Sequence, residues 1–466
     1  MNLGKYLFTL FTGVILVACS NDDTSGTTVE EGVPTYVNLS VYLPGANPTR
    51  ALPEDYNQDG EYEGNDGILT LDIYMRSGDG TIEAKRFSGT GISSTGTVIS
   101  PSEPFRTTSG TKTIYVVLNS PEPLNTTITS EDALVSTDGL AYILTQNEVD
   151  YDVITMTGKA SSVIIEPDIP KSAVVQGSNH ISVDVVRMAS RVIVTTSADN
   201  TLTDSDGNTI GTISNVTYSV AQGTKEIYFL EQSGYITYGY DYVPELGEYV
   251  DQAGTYYDYS DLSTPSSVPT LPTASDGYKS LPGKFLFENT HASGDIKTTD
   301  YRKGNTAYVL VRATLTPDES VIADGGSLTN GTFYVGHSDG LIYSNKQSAL
   351  DAVQNQKVAV YQQGEMLYYT WLNPDNIDTP LNSPVIRNNI YHINITGFKN
   401  LGYTWNPLYP EDPDTTNPSN PDPKPVNPDE PESPIDPIDP LTPEQTYMTV
   451  EVTALNWTVH SYDIDL

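Results

Sequence analysis

The chain has 466 residues with 23 Lys and Arg against 60 Asp and Glu, a formal net charge of −37. A surface that acidic repels phosphate backbones, which excludes nucleic acid as a partner. The length asks for two or three domains, and with 32 Tyr, 36 Gly and 32 Pro the composition predicts an all-β protein with many turns, whose packing leans on Tyr.

In chain order, Lys5 precedes an apolar run from Tyr6 to Val17. That run is too short to cross a bilayer and has the length of a signal-peptide core. It ends Leu16-Val17-Ala18-Cys19, a lipobox pattern in which Cys19, the only cysteine, is the expected lipidation site. A polar-acidic Ser20-Asn21-Asp22-Asp23 follows, and 20–34 read as a tether. Over 35–43, Val37, Leu39, Val41 and Leu43 alternate with Tyr36, Asn38, Ser40 and Tyr42, which predicts one strand with one buried face. Residues 44–67 are rich in Gly, Pro, Asn and acids and are expected as a loop carrying Arg50 and Ala51.

Leu69 to Met75 and Ile82 to Phe87, joined by Ser77-Gly78-Asp79-Gly80, predict a hairpin. Ile114 to Leu118 reads as a strand buried on both faces, and further strands are expected at 163–165, 181–194, 216–220, 227–230, 307–311, 333–335, 366–372 and 390–395. Short helices are expected within 130–147 and 348–354, and Gly177-Ser178-Asn179 is the expected domain boundary. Eight Tyr between 235 and 259, interleaved with acids, suit either a contact surface or half-buried loop packing.

Residues 407–443 are dense in Pro and acid and read as an extended, charge-stiffened spacer. After it come Met448, Val450 and Val452, then Leu455, Trp457 and Val459. The phase slips at Ala454-Leu455, which predicts a bulge there. A strand with an apolar face on a long leash needs a groove to fill.

Chemistry is scarce. The five His (180, 291, 337, 392 and 460) share no metal-ligand spacing, and there is no nucleophile elbow or phosphate loop. Asp204 to Asn208 and Asn57 to Glu63 depart from the calcium-loop offsets and read as solvated turns. No catalytic residue, metal or cofactor is expected.

The order of parts resembles the type V pilins of Bacteroidia, the fimbrillins. Long strings carry the resemblance: Gly283-Lys284-Phe285-Leu286 with Asn289-Thr290-His291, Tyr301 to Arg312, Trp371-Leu372-Asn373-Pro374, Asn382 to Ile393, and Val459 to Leu466. The resemblance implies two transthyretin-like β-sandwich domains in tandem. Its parts are a signal peptide (1–19), a propeptide with the removable strand (20–50), N-terminal (51–177) and C-terminal (178–406) sandwiches, the spacer (407–443) and a C-terminal donor strand (444–466). It implies export as an outer-membrane lipoprotein and cleavage after Arg50 by an arginine-specific surface protease. Head-to-tail polymerisation by strand exchange into a fimbrial shaft follows, supporting adhesion and biofilm formation. Implied partners are further copies of the chain, anchor and tip subunits, and host or bacterial receptors. The alternatives are a surface lipoprotein adhesin that does not polymerise, or a tip or anchor subunit.

Overall fold

A computed structural model describes residues 29–44, 58–64, 67–120, 122–123, 133–136, 144–146, 152–204, 206–243, 249–272, 281, 283–291, 300–373, 382–404, 408, 437–441 and 448–459. The lipobox with Cys19, the Arg50-Ala51 site and most of the proline-rich segment lie outside them.

The described chain is mostly β-strand. The first unit contains β1 (Pro34–Tyr42), β2 (Thr70–Ser77), β3 (Ile82–Ser88), β4 (Ile92–Thr95), β5 (Val98–Pro101), β6 (Phe105–Thr108), β7 (Gly110–Leu118), β8 (Met156–Ile165), β9 (His180–Asp184) and β10 (Val186–Arg187). One sheet runs β9-β1-β5-β4, with β6 also paired to β1. The other runs β10-β8-β7-β2-β3. Between them lies one core. Val37, Leu39, Val41, Ile99, Phe105, Ile181 and Val183 come from the first sheet, and Leu71, Ile73, Met75, Ile114, Val116 and Leu118 from the second. The expected hairpin is β2-β3.

The strand β7 is apolar without alternation because both of its faces are covered. Ile114, Val116 and Leu118 face that core, while Tyr115 and Val117 join Ile193, Phe229, Phe287 and Ile390 of the second unit in a separate apolar cluster. The two units are therefore packed against each other through the back of the β7 sheet.

The second unit begins at β11 (Ser190–Thr196), ten residues or so past the Gly177–Asn179 segment, since β9 and β10 still pair inside the first unit. It continues with β12 (Thr209–Ala221), β13 (Lys284–Leu286), β14 (Tyr308–Pro317), β15 (Glu365–Trp371), β16 (Asn389–Phe398) and β17 (Met448–Val459). β17, β16, β11 and β13 follow one another in one sheet, with Gln58–Gly64 on the outer side of β17. The other sheet places Thr201–Thr203, β12, β14 and β15 in order.

Several expectations are corrected. Gln58–Gly64 is a strand inside the region read as loop. Short strands, Leu134–Ser136 and Leu144–Gln146, stand in 130–147 where helices were expected. The helix Lys346–Ala352 covers the other expected site, capped by Asn345, whose side chain accepts the Ser348 N–H. The Tyr-rich segment packs inward: Tyr242, Tyr257 and Tyr259 are buried, and Tyr242 stacks on Tyr256 at 4.4 Å. Asp204 is a solvated turn that takes the N–H groups of Asp206 and Asn208 at 2.9 and 2.8 Å.

Candidate functional site: the slot held by the first strand

The strand β1 sits in the interior of its sheet. On one edge, Asn38 to Tyr42 pair in parallel with His180 to Asp184 of β9. On the other, Pro34 to Val37 pair antiparallel with β6, and Val41 and Tyr42 with β5. Its alternation is realised as read: Val37, Leu39 and Val41 have no exposed surface and Leu43 has 4%. Burial of four aliphatic side chains contributes on the order of 6–12 kcal/mol. Removing β1 would leave two unpaired strand edges and an open trench over the first core.

The first half of this slot is closed by a loop rather than a strand. Ile169 O accepts the Tyr36 N–H and Asn179 O the Asn38 N–H, each at 3.1 Å. Inward-facing Thr35 is buried, and its hydroxyl accepts the Ile169 N–H at 3.0 Å and a proton from Asn179 Nδ2 at 3.2 Å. Asn179 Nδ2 also donates to Tyr36 O at 3.1 Å and Glu166 O at 3.0 Å, while its Oδ1 accepts the Glu166 N–H at 2.9 Å. Asn179 holds φ at 46°, a left-handed conformation that Asn tolerates better than most residues. It thus ties the end of β8 to β1. Nothing in the sequence singled it out except its place in a Gly-Ser-Asn turn.

The outward row is half-buried. Ser40 Oγ and His180 Nε2 are 2.8 Å apart, and the Arg106 guanidinium lies 5.8 Å from the Tyr36 ring centre. Beneath β9, Gly158 lets the second sheet approach closely: a Cβ there would come within 2.0 Å of Asp184 O.

The other half of the sequence-read machinery is the C-terminal strand. Met448, Val450, Val452, Leu455, Trp457 and Val459 all lie on β17, which is placed in the chain's own second unit. It pairs antiparallel with β16, from Phe398 opposite Met448 to Asn389 opposite Asn456. It also pairs in parallel with Gln58–Gly64. The ladder to β16 is unbroken from Val450 to Asn456, so no bulge interrupts it at Ala454-Leu455, but the ladder to Gln58–Gly64 shifts register opposite that stretch, where Gln58 faces Ala454 and Glu61 faces Asn456. The irregularities fall between Ile395 and Gly397 of β16, and between Gln58 and Glu61 on the other edge.

The described parts of the proline-rich segment are seated on the second unit. Lys303 N–H donates to Asp439 O and Gly304 N–H to Pro437 O, each at 2.9 Å. Leu408 and Leu441 are buried in one cluster with Tyr301, Tyr308 and Trp371. At these points the segment is anchored rather than extended.

The family-like strings supply the second unit's buried polar frame. Arg387 Nε and Nη2 hold Glu288 at 2.7 and 2.5 Å, and Nη2 also reaches Tyr228 O at 2.7 Å. His291 is buried with ring nitrogens against Tyr240 O and Asn305 O. Those carbonyls favour the imidazolium, but burial is the larger effect and brings its pKa down to about 4. Among the described residues no three His, Cys, Asp or Glu side chains gather as a metal site.

Residues 359–463 match the profile "Major fimbrial subunit protein type IV, Fimbrillin, C-terminal". Two minor fimbrium subunits Mfa1 of Porphyromonas gingivalis are each 35% identical over 473 residues, covering 92% of this chain and 93% of theirs. Among solved structures, a fimbrilin (fimA) of P. gingivalis W83 aligns over 92% of this chain and 99% of its own, at 13% identity and a TM-score of 0.41. With a relative this similar over nearly its whole length, the chain belongs to the fimbrillin family.

Proposed function

We propose that this chain is the structural shaft subunit of a cell-surface fimbrium of the minor type, with no enzymatic role. Its two units are transthyretin-like β-sandwiches. The precursor is lipidated at Cys19 and carried to the outer membrane, and an arginine-specific protease cuts between Arg50 and Ala51. The cut severs β1 from the rest of the chain. The C-terminal strand of a neighbouring copy then fills the vacated slot, and the head-to-tail contact, which does not close on itself, makes a filament. Anchor and tip subunits complete the fimbrium, which serves adhesion to host or bacterial receptors.

The observation that carries this reading is the position of β1. It is an interior strand whose inward row is fully buried, yet every residue of it precedes Arg50, so one cut converts a filled sheet into an open groove. A tight groove and an apolar C-terminal strand in the same chain are the two halves of a polymer contact.

Electron microscopy of the protein before and after cleavage at Arg50 tests the reading. Filaments are expected only after cleavage, and Arg50→Ala should remain monomeric. Monomers after complete cleavage would end the proposal. Cys19→Ala should lose lipidation and lower surface fimbriae.

A second reading is favoured by the pairing of β17 with β16: the C-terminal strand is a permanent member of its own sheet. Then deletion of 446–466 would lower the melting temperature of the uncleaved protein. A pure donor strand would leave it unchanged.

A further inference from the structure

The slot strand reads Thr35-Tyr36-Val37-Asn38-Leu39-Ser40-Val41, and the tail contains that pattern twice in tandem. Thr446-Tyr447-Met448-Thr449-Val450-Glu451-Val452 shares Thr, Tyr and Val with it at positions one, two and seven. Thr453-Ala454-Leu455-Asn456-Trp457-Thr458-Val459 shares Thr, Asn and Val at positions one, four and seven, has a hydroxyl residue at position six, and places apolar residues at three and five. The slot gives reasons for most of these choices. Position one is Thr35, whose buried hydroxyl accepts from Ile169 N–H and Asn179 Nδ2. Positions three, five and seven are Val37, Leu39 and Val41, all without exposed surface. Position six is Ser40, in contact with His180.

The repeat is seven residues and a strand alternates every two, so the copies have opposite phase. That accounts for the phase slip at Ala454-Leu455, where the ladder to β16 is unbroken and only the ladder to Gln58–Gly64 shifts register. Both copies cannot present their apolar rows to one sheet face along a straight strand. Reach separates them too. With Leu441 buried and the preceding residues bonded to Lys303 and Gly304, the inner copy is tethered close to its own unit. The outer copy begins twelve residues beyond Leu441, about 40 Å of extended chain.

We infer that the tail is a divided strand: the inner copy stays on β16 of its own subunit, while the outer copy, Thr453–Val459, occupies the neighbour's slot in the direction and register of Thr35–Val41. This rests on the strand-exchange reading above. It assigns Ala454 the place of Tyr36 opposite Arg106, and Thr458 the place of Ser40 opposite Ser182.

Disulfide trapping tests it, because cross-strand Cα pairs fall within disulfide range, and cleavage at Arg50 removes Cys19. Full-length double variants Ala454→Cys with Arg106→Cys, and Thr458→Cys with Ser182→Cys, are cleaved at Arg50, assembled and oxidised. A ladder of covalent multimers on denaturing gels is expected from both. A ladder from Thr449→Cys with His180→Cys instead would put the inner copy in the slot and overturn the inference. So would filaments in which none of these pairs cross-links. Should cysteine block assembly, a chain ending at Val452 decides. It is expected to lose filaments entirely while the uncleaved form keeps the wild-type melting temperature; filaments, or a fall in melting temperature as large as that from deleting 446–466, overturn the inference. Wild-type protein that stays monomeric after cleavage would instead defeat strand exchange itself.

Discussion

The strands β1 and β17 occupy matching positions in the two units. Each is an interior strand of a five-stranded sheet, with a parallel neighbour on one edge and antiparallel pairing on the other, supplied by one strand for β17 and by two, β5 and β6, for β1. They differ in what holds the edges. The flanks of β1 carry Ile181, Val183, Ile99 and Phe105, all buried in the core that β1 covers. The outer flank of β17 is Gln58-Asp59-Gly60-Glu61-Tyr62-Glu63-Gly64, with three acids, two glycines and no aliphatic residue. A strand is committed to its place by the apolar surface it covers and shares with its neighbours, more than by the ladder, because main-chain bonds are exchanged for bonds to water when a strand leaves. By this measure β1 is the more firmly held strand, and β17 has the weaker outer edge.

The contrast can be broken most severely with a charge. Leu39→Asp places an unpaired carboxylate in a dry core and should cost at least several kcal/mol, enough to prevent folding of the precursor. Trp457→Asp should leave the uncleaved protein's thermal melt almost unchanged and abolish filaments after cleavage, while Trp457→Leu should still polymerise. Equal destabilisation of the precursor by the two Asp substitutions would erase the distinction between the strands.

Acid sharpens the comparison next. Burial brings His291 and His392, both in the second unit, down to about 4. An ordinary His titrates near 6.5, so the unfolded chain binds more protons between those values. The stability these residues confer is complete above about pH 6.5 and is lost as pH falls toward 4, by about 3 kcal/mol each at most. Asp72 of the first unit is shifted the other way: burial raises it to about 6 against the pull of Arg86. Its burden is present above about pH 6 and is relieved as pH falls. Acid should therefore weaken the second unit first. Hydrogen exchange at pH 4.5 checks this, and His392→Gln, which keeps a partner for Thr195 Oγ1, should flatten the pH dependence of the melt.

Smaller effects probe the slot's closed end. Asn179→Ala deletes the amide that bridges Thr35, Tyr36 and Glu166 and leaves a left-handed backbone without Asn, costing about 1–3 kcal/mol in the precursor. Ser40→Ala removes one exposed contact to His180 and should cost no more than about 0.5 kcal/mol. Thermal melts of the uncleaved variants measure both.

Much of the site was legible in order of residues alone. The period of two at Val37, Leu39, Val41 and Leu43 stated which side of β1 would be buried, since a strand with one apolar row must cover something. The apolar tail beyond the prolines was visible in the same way, as was the hairpin β2-β3, whose turn sits between its strands. What alternation leaves open is the identity of the neighbours. That β1 lies beside His180–Asp184, about 140 residues on, that β9 and β10 still belong to the first unit, and that Asn179 closes the slot all follow from long-range pairing, which leaves no local periodicity to read. Gln58–Gly64 escaped because its sequence is that of a loop, and only the adjacent edge of β17 makes it a strand. Pro437–Leu441 read as spacer because Pro and acid resist regular structure, yet Leu441 is buried where Tyr301 and Trp371 offer it an apolar seat. Sequence determined which surfaces must be covered; the tertiary structure decided what covers them, because burial is a property of one strand and pairing is a property of two.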